Sequence, residues 1–190
     1  GSNLPYEHLV FATGGRARPL SLPGGDLSNV HRVRTVDDIL KLHPQFLPGK
    51  RLVIIGGGYI GLEVAAVGIK KGLKVTVVEA LPRLLARVTA PALSAFYEQA
   101  HRRRGVEIRT GVGVHALEGA GQVDTVILAD GTRLPADLVI VGIGIIPNTE
   151  VAAAAGLEVS NGIITNGHAR TTDPNIYAIG DCGNHQNSFV

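Results

Sequence analysis

The hydrophobic pattern changes its period along the chain, and the changes separate strands from helices. Leu52-Val53-Ile54-Ile55 is apolar at four successive positions with no polar alternation, which predicts a strand buried on both faces. It runs into Gly56-Gly57-Gly58, and the apolar, alanine-rich segment from Tyr59 to Ala66 predicts a helix whose first turn begins inside the glycines. Val75-Thr76-Val77-Val78 repeats the strand signal and stops at Glu79. Further apolar strands are predicted at Leu9–Ala12, Val106–Arg109, Asp137–Val141 and Ile176–Ile179. The first of these leads into Thr13-Gly14-Gly15, the third into Gly142-Ile143-Gly144, and the last into Gly180-Asp181. His115–Leu128 holds one or two more strands, and Ala129-Asp130-Gly131-Thr132 is a hairpin-turn signal.

Helical spacing appears in three other places. Val36–Leu42 predicts a short helix with Thr35 as its N-cap and two acids in its first turn. A longer helix is expected from about Pro91 to Arg104, with Leu93, Phe96 and Ala100 as its apolar stripe. Arg102-Arg103-Arg104 closes it at the negative end of the helix dipole, and reads as a solvated helix end or as a partner-docking patch. Glu150–Ala155 is a short helix with Asn148 as a cap and Gly156 as its stop. Pro19–Asn29 reads as loop, and Pro48-Gly49-Lys50 breaks the chain before the central strand. Strands alternating with helices predict an α/β fold built on a parallel sheet.

Chemistry concentrates at the first glycine turn. Gly56-x-Gly58-x-x-Gly61 sits between a strand and a helix, where each glycine has a distinct task. Gly56 allows the tight turn, Gly58 lets backbone approach a pyrophosphate, and Gly61 lets the helix pack closely on the strand. The helix N-terminus supplies free N–H groups and positive dipole to the anion. A lone glycine pattern is weak in a chain with 25 glycines. Here, however, Glu79 stands 18 residues after Gly61 at the tip of the second strand, close to the spacing of about 20 at which a carboxylate holds the adenosine ribose. Strand, glycines, helix, strand and acid in register predict a dinucleotide site. The Glu79 carboxylate is expected to favour NADH over NADPH, unless Arg83 or Arg87 swings toward a 2′-phosphate.

Composition narrows the class without changing this picture. The 190 residues are 45% apolar and 18% charged, a globular balance, and a net charge of +2 gives no case for nucleic acid. No apolar run has the length of a membrane span, and no signal-peptide layout opens the chain. Cys182 is the sole cysteine, which excludes an internal disulfide or a Cys-x-x-Cys pair and suits the cytoplasm. The seven histidines are scattered, so no metal site is expected.

Several separated segments together resemble one family. They are Tyr6–Arg16, Val33–Asp38, Gly56–Glu63, Arg87–Pro91, Asp130–Thr132, Gly142–Asn148, and Thr172–Pro174 through Gly180–Cys182. The chain resembles the flavoprotein NADH–ferredoxin reductases of the putidaredoxin and rubredoxin reductase type, within the pyridine nucleotide–disulfide oxidoreductase superfamily. The resemblance implies a Rossmann-like FAD/NAD(P)-binding fold, with a three-stranded antiparallel excursion around residues 112–134. It also implies an intact protein about twice this long. On that reading 1–48 is a partial FAD-domain segment and connection, 49–169 the NADH-binding domain, and 170–190 a returning FAD-domain segment.

The same resemblance assigns site residues. Gly56, Gly57, Gly58, Ile60 and Gly61 would hold the NADH pyrophosphate and Glu79 its ribose. Tyr59 would lie near the nicotinamide, Glu63 would bond its carboxamide, and Gly142, Ile143 and Gly144 would let the cofactor lie close. Ala12, Thr13, Gly14, Arg34 and Asp181 would contact FAD. Other readings stay open: Glu63 as a dipole-favoured acid, Tyr59 as packing, Arg34 as a solvated arginine. Cys182 reads as an inert neighbour of Asp181. The implied activity is hydride transfer from NADH to FAD, then single electrons to a ferredoxin-like iron–sulfur partner. No catalytic acid or base is expected, because the cofactors carry the chemistry. An NADH oxidase, a nitrite or disulfide reductase, or a non-enzymatic NADH-binding redox sensor are the alternatives.

Overall fold

The computed structural model describes residues 3–185, so Gly1-Ser2 and 186–190, the outer ends of the first and last expected segments, lie outside it. In chain order the elements begin β1 (Leu9–Phe11), β2 (Gly15–Ala17), β3 (Val30–Arg32), α1 (Val36–Leu42), β4 (Arg51–Ile55), α2 (Tyr59–Lys70) and β5 (Lys74–Glu79). They continue with α3 (Pro91–Arg102), β6 (Glu107–Thr110), β7 (Val114–Glu118), β8 (Thr125–Leu128), β9 (Arg133–Pro135) and β10 (Leu138–Val141). The last are β11 (Ile145–Pro147), α4 (Glu150–Ala154), β12 (Val159–Ser160), β13 (Gly162–Thr165), β14 (Ile176–Ala178) and β15 (Gly183–His185). The chain is α/β, as expected.

Packing divides the described residues into two units, 17–144 and 3–16 with 145–185. These boundaries differ from the expected 48/49 and 169/170. Strand β3, assigned by the sequence to the first segment, pairs in parallel with β10 and so belongs to the larger unit's sheet.

The larger unit is organised by a five-stranded sheet in the order β3-β10-β4-β5-β6, parallel throughout. The central strands are buried on both faces, and alternate residues supply two separate cores. Leu52 and Ile54 of β4, Leu138 and Ile140 of β10, and Val75 and Val77 of β5 point into one core, shared with Leu62 and Ala65 of α2. Val53, Ile55, Val139, Val141 and Val78 point into the other, shared with Leu117, Val126, Leu128 and Leu134. Those last four belong to the antiparallel sheet β7-β8-β9 and the turn it encloses, which covers the second face. This is the three-stranded excursion expected around 112–134.

In the smaller unit β1 pairs in parallel with β14, and β13 lies between β12 and β15. Phe11, Ala152, Leu157, Ile163, Ile176 and Cys182 form its core. The Cys182 thiol is buried and donates to the carbonyls of Ile179 (3.2 Å) and Phe11 (3.5 Å).

Two helix starts differ in outcome. Thr35 caps α1 in a reciprocal capping box, with its Oγ1 accepting from Asp38 N at 3.3 Å and Asp38 Oδ2 accepting from Thr35 N at 2.8 Å. Asn148 does not cap α4. The N-cap is Thr149, without a side-chain bond, and the Asn148 side chain donates to Thr13 O and accepts from Arg16 instead.

The expected stripe of α3 is also overturned: Leu93 and Phe96 are 44% and 63% exposed, while Ser94 is 2% exposed. The inward face runs through Ser94, Tyr97 and His101, because the loop beneath it needs a hydroxyl more than a methyl group. The arginines at its end behave as a dipole argument requires. Arg104 donates to Ala100 O at 2.9 Å, and Arg102 pairs with Glu98 at 2.8 Å.

The register of β4 against β10 is pinned at their amino ends by Asp137. Its carboxylate accepts from Arg51 N at 2.8 Å, Nε at 2.9 Å and Nη2 at 2.8 Å. Hydrogen bonds from the Arg51 guanidinium hold the Asp137 carboxyl far below its ordinary value of 3.8. A depressed carboxyl stabilises fully above its unfolded pKa, and the contribution is lost as pH falls below about 4. Asp137→Asn should therefore cost about 1 kcal/mol at pH 7, since Arg51 is half exposed and screened. Urea titrations should show wild type and variant converging in stability as pH drops from 5 to 3. An undiminished gap at pH 3 would refute the pairing.

Candidate dinucleotide-binding site

The carboxyl ends of β4, β5 and β10 meet at one edge of the sheet, the position at which open α/β sheets take ligands. Two glycine turns lie back to back there. Gly56 has φ +111°, and a Cβ on it would lie 2.3 Å from Gly142 O. Its N–H donates to Val78 O, and Gly142 N–H donates to Ile55 O, each at 2.8 Å. A Cβ on Gly61 would come within 2.2 Å of Gly56 O, so this glycine lets α2 seat against the turn. Gly144 has φ +99°, and Ile143 packs against the second core.

Gly58 is different. Its backbone (φ −80°, ψ −179°) suits any residue, and a Cβ there would meet nothing within 4 Å. Protein packing gives no reason for glycine at this position, whereas a ligand lying against the backbone does. Gly58 is also the N-cap of α2, where the first-turn N–H groups have no intrahelical acceptor. Tyr59 and Ile60 follow on the surface, the tyrosine ring edge-on to Tyr97 with centroids 6.4 Å apart.

Gly57 is held on both sides. Its N–H donates to Glu79 Oε2 at 2.7 Å, and its carbonyl accepts from Leu85 N at 3.0 Å. The second Glu79 oxygen accepts from Leu81 N at 2.8 Å. The carboxylate is thus fixed at the tip of β5. Gly57 itself offers no free donor, so any role toward a pyrophosphate would be one of close approach.

Glu63, one turn along α2, is exposed and borders an apolar groove of about 370 Å³. Val33, Ile39, Leu42, Phe46 and Val64 line the groove, and Arg34 lies on its rim. Arg83, considered as a 2′-phosphate partner, turns inward and donates to Thr89 O (2.8 Å), Ser94 Oγ (2.6 Å) and Ala86 O (2.9 Å). Arg87 is exposed.

The residues assigned to NADH all belong to the 17–144 unit. Of those assigned to FAD, Arg34 belongs to that unit and Ala12, Thr13, Gly14 and Asp181 to the other. Within the latter, the ends of β1 and β14 are neighbours, Phe11 opposite Ala178. Ala12 and Asp181 are exposed beyond them. Asn148 braces this edge: Thr13 Oγ1 donates to its carbonyl at 2.6 Å, its Nδ2 donates to Thr13 O, and its N–H donates to Gly14 O, both at 2.9 Å. Arg16 bonds Asn148 Oδ1 at 2.8 Å and pairs with Glu150 at 2.7 Å. Sequence reasoning missed Asn148 in this role. Its one visible signal was a polar residue directly after Pro147, which a helix cap explained equally well. Among the described residues no group of three His, Cys, Asp or Glu could hold a metal ion, and no helix is long and apolar enough to cross a membrane.

Known proteins share the sequence and fold of this chain. The chain is 53% identical over 188 residues to putidaredoxin reductase of Pseudomonas putida, covering 96% of the chain and 44% of the relative. It is 41% identical over 190 residues to a rubredoxin-NAD(+) reductase of the same organism, covering 49% of that protein. A crystal structure of a covalent putidaredoxin reductase–putidaredoxin complex superposes on the whole chain with a TM-score of 0.91 at 51% identity, covering 47% of the matched chain. The chain therefore spans about half the length of the relatives it matches. The profile of one family matches residues 1–189, and the chain belongs to it: the pyridine nucleotide-disulphide oxidoreductases.

Proposed function

We propose that this chain supplies the NADH site, and part of the FAD site, of a cytoplasmic flavoprotein reductase that delivers electrons to a ferredoxin-like protein. The observation that carries the reading is Gly58, a glycine that neither backbone angle nor packing requires, at the N-terminus of α2 beside a fixed carboxylate. The names of the similar proteins, reductases of putidaredoxin and rubredoxin, favour a ferredoxin-like protein as acceptor.

Each residue set has its own part. The first-turn N–H groups of α2 would receive the pyrophosphate, and Gly58 would let it lie against the backbone. Glu79 would accept the ribose hydroxyls. Tyr59 and Glu63, on the same end of α2, would orient the nicotinamide and its carboxamide. Gly142, Ile143 and Gly144 would form the opposing wall. Ala12, Thr13, Gly14 and Asp181 would meet FAD at the open edge of β1 and β14, with Arg34 as a further flavin contact. When bound, the nicotinamide and the flavin supply the hydride and electron chemistry, so position and exclusion of water are the protein's share.

Glu79 also argues for NADH over NADPH. Its carboxylate is fixed at the tip of β5 by two backbone N–H groups, where it would meet the ribose, and the Arg83 guanidinium is turned onto the loop and Ser94 instead.

The direct test of the activity is NADH-driven reduction of a ferredoxin-like acceptor by the intact flavoprotein. Tight NADH binding with no transfer to any acceptor would instead favour a redox sensor. For the site, calorimetric titration of the 190-residue chain should give at least tenfold tighter binding of NADH than NADPH, about 1.4 kcal/mol. Glu79→Ala should collapse that ratio, and an unchanged ratio would refute its role. Gly58→Ala should leave the circular dichroism spectrum and melting temperature of wild type intact while weakening NADH at least tenfold. Equal affinity would mean that no ligand approaches this backbone.

A further inference from the structure

Beneath the glycine turn the segment Leu81–Thr89 folds into a compact clasp whose construction the assigned roles do not use. Leu85, buried, sits in the left-handed region at φ +53°, a conformation that non-glycine residues adopt only when their surroundings enforce it. Its N–H holds the Gly57 carbonyl at 3.0 Å. Its own carbonyl accepts from Val88 N and Thr89 N at 3.0 Å and from Thr89 Oγ1 at 3.2 Å. Leu84 presses on the same turn: a Cβ on Gly57 would lie 2.6 Å from its Cδ2.

Arg83 ties together the residues that follow Leu85. Its guanidinium spans the loop, bonding Ala86 O on one side, Thr89 O on the other, and Ser94 Oγ on α3. Ser94, almost fully buried, donates its hydroxyl to Leu84 O at 2.6 Å. The loop is thereby tied to itself and to a helix by one planar cation with fixed donor geometry.

We propose that Arg83 is a positioning residue for dinucleotide binding: it locks the 81–89 clasp, which with Glu79 fixes the backbone on both sides of Gly57 and so presents the backbone of Gly58 and the start of α2 to the pyrophosphate. Arg83 touches no ligand in this arrangement. Its effect passes through Leu85 to the Gly57 carbonyl, while that of Glu79 passes through the Gly57 N–H. Without the clasp the turn must be ordered at the expense of binding. The inference rests on the proposed NADH site and adds a residue to it.

The test is calorimetry of the 190-residue chain with NADH, alongside circular dichroism to report folding. Arg83→Met should remain folded, keep a one-to-one stoichiometry and bind NADH about tenfold more weakly. Arg83→Lys keeps the charge but lacks the three-way fork, and should stay within threefold of Arg83→Met. Recovery of wild-type affinity by lysine would show that charge alone matters, and would overturn the proposal. Combining Arg83→Met with Ser94→Ala should weaken binding by less than the product of the single losses, since both act through one clasp. Full multiplication would overturn it. Should Arg83→Met fail to fold, Ser94→Ala removes one of the three acceptors and should weaken NADH severalfold in a folded chain, whereas unchanged affinity would overturn the clasp. Wild-type affinity in a folded Arg83→Met would refute the clasp and leave the NADH site standing. No NADH binding by the wild type would remove both.

Discussion

The Gly57 peptide is the constraint on which the rest of the site depends. Its N–H is taken by Glu79, its carbonyl by Leu85, and a side chain on its Cα would meet Leu84, so the two peptide planes that join at this residue can hardly rotate. On one side of it Gly56 lets the second glycine turn come within touching distance. On the other, Gly58 opens onto empty space at a helix N-terminus. A turn that tight would ordinarily be a mobile joint. Here it is buttressed from three strands and a loop, as preorganised binding of a multiply charged ligand requires.

That buttressing is possible because the sheet is buried on both faces. Strands β4, β5 and β10 send alternate side chains into two cores, one closed by α2 and the other by the antiparallel sheet β7-β8-β9. With both faces covered, the carboxyl edge is where the sheet remains accessible, and the loops converge there. The Arg51–Asp137 fork at the opposite edge fixes the register that brings Gly56 against Gly142.

Much of this was readable from residue order, and the reasons are local. The strand, glycine turn, helix and acid of Leu52–Glu79 are contiguous, and double-sided burial leaves an apolar run that announces itself. The capping box of Thr35 and Asp38 needs only four residues. What escaped was what depends on distant partners. Strands β2, β3, β11, β12 and β15 have three residues or fewer, too short for any period to show. Leu93 and Phe96 gave α3 a plausible apolar stripe, yet the inward face is set by Ser94 because Arg83 and Leu84 need its hydroxyl. Asn148 bonds residues 135 and 132 positions away. Arg83 read as a cation able to swing toward a 2′-phosphate, because nothing in its neighbours reveals three acceptors folding around it.

The most direct test of this account is residue-resolved amide exchange of the chain without nucleotide. Gly57 should be strongly protected, because its N–H is bonded to Glu79 in the free protein. The amides of Gly58 and Tyr59, at the open start of α2, should exchange rapidly and become protected only when NADH is added. A Gly57 amide exchanging as fast as its neighbours in the free chain would contradict the account, since the turn would then be assembled by its ligand.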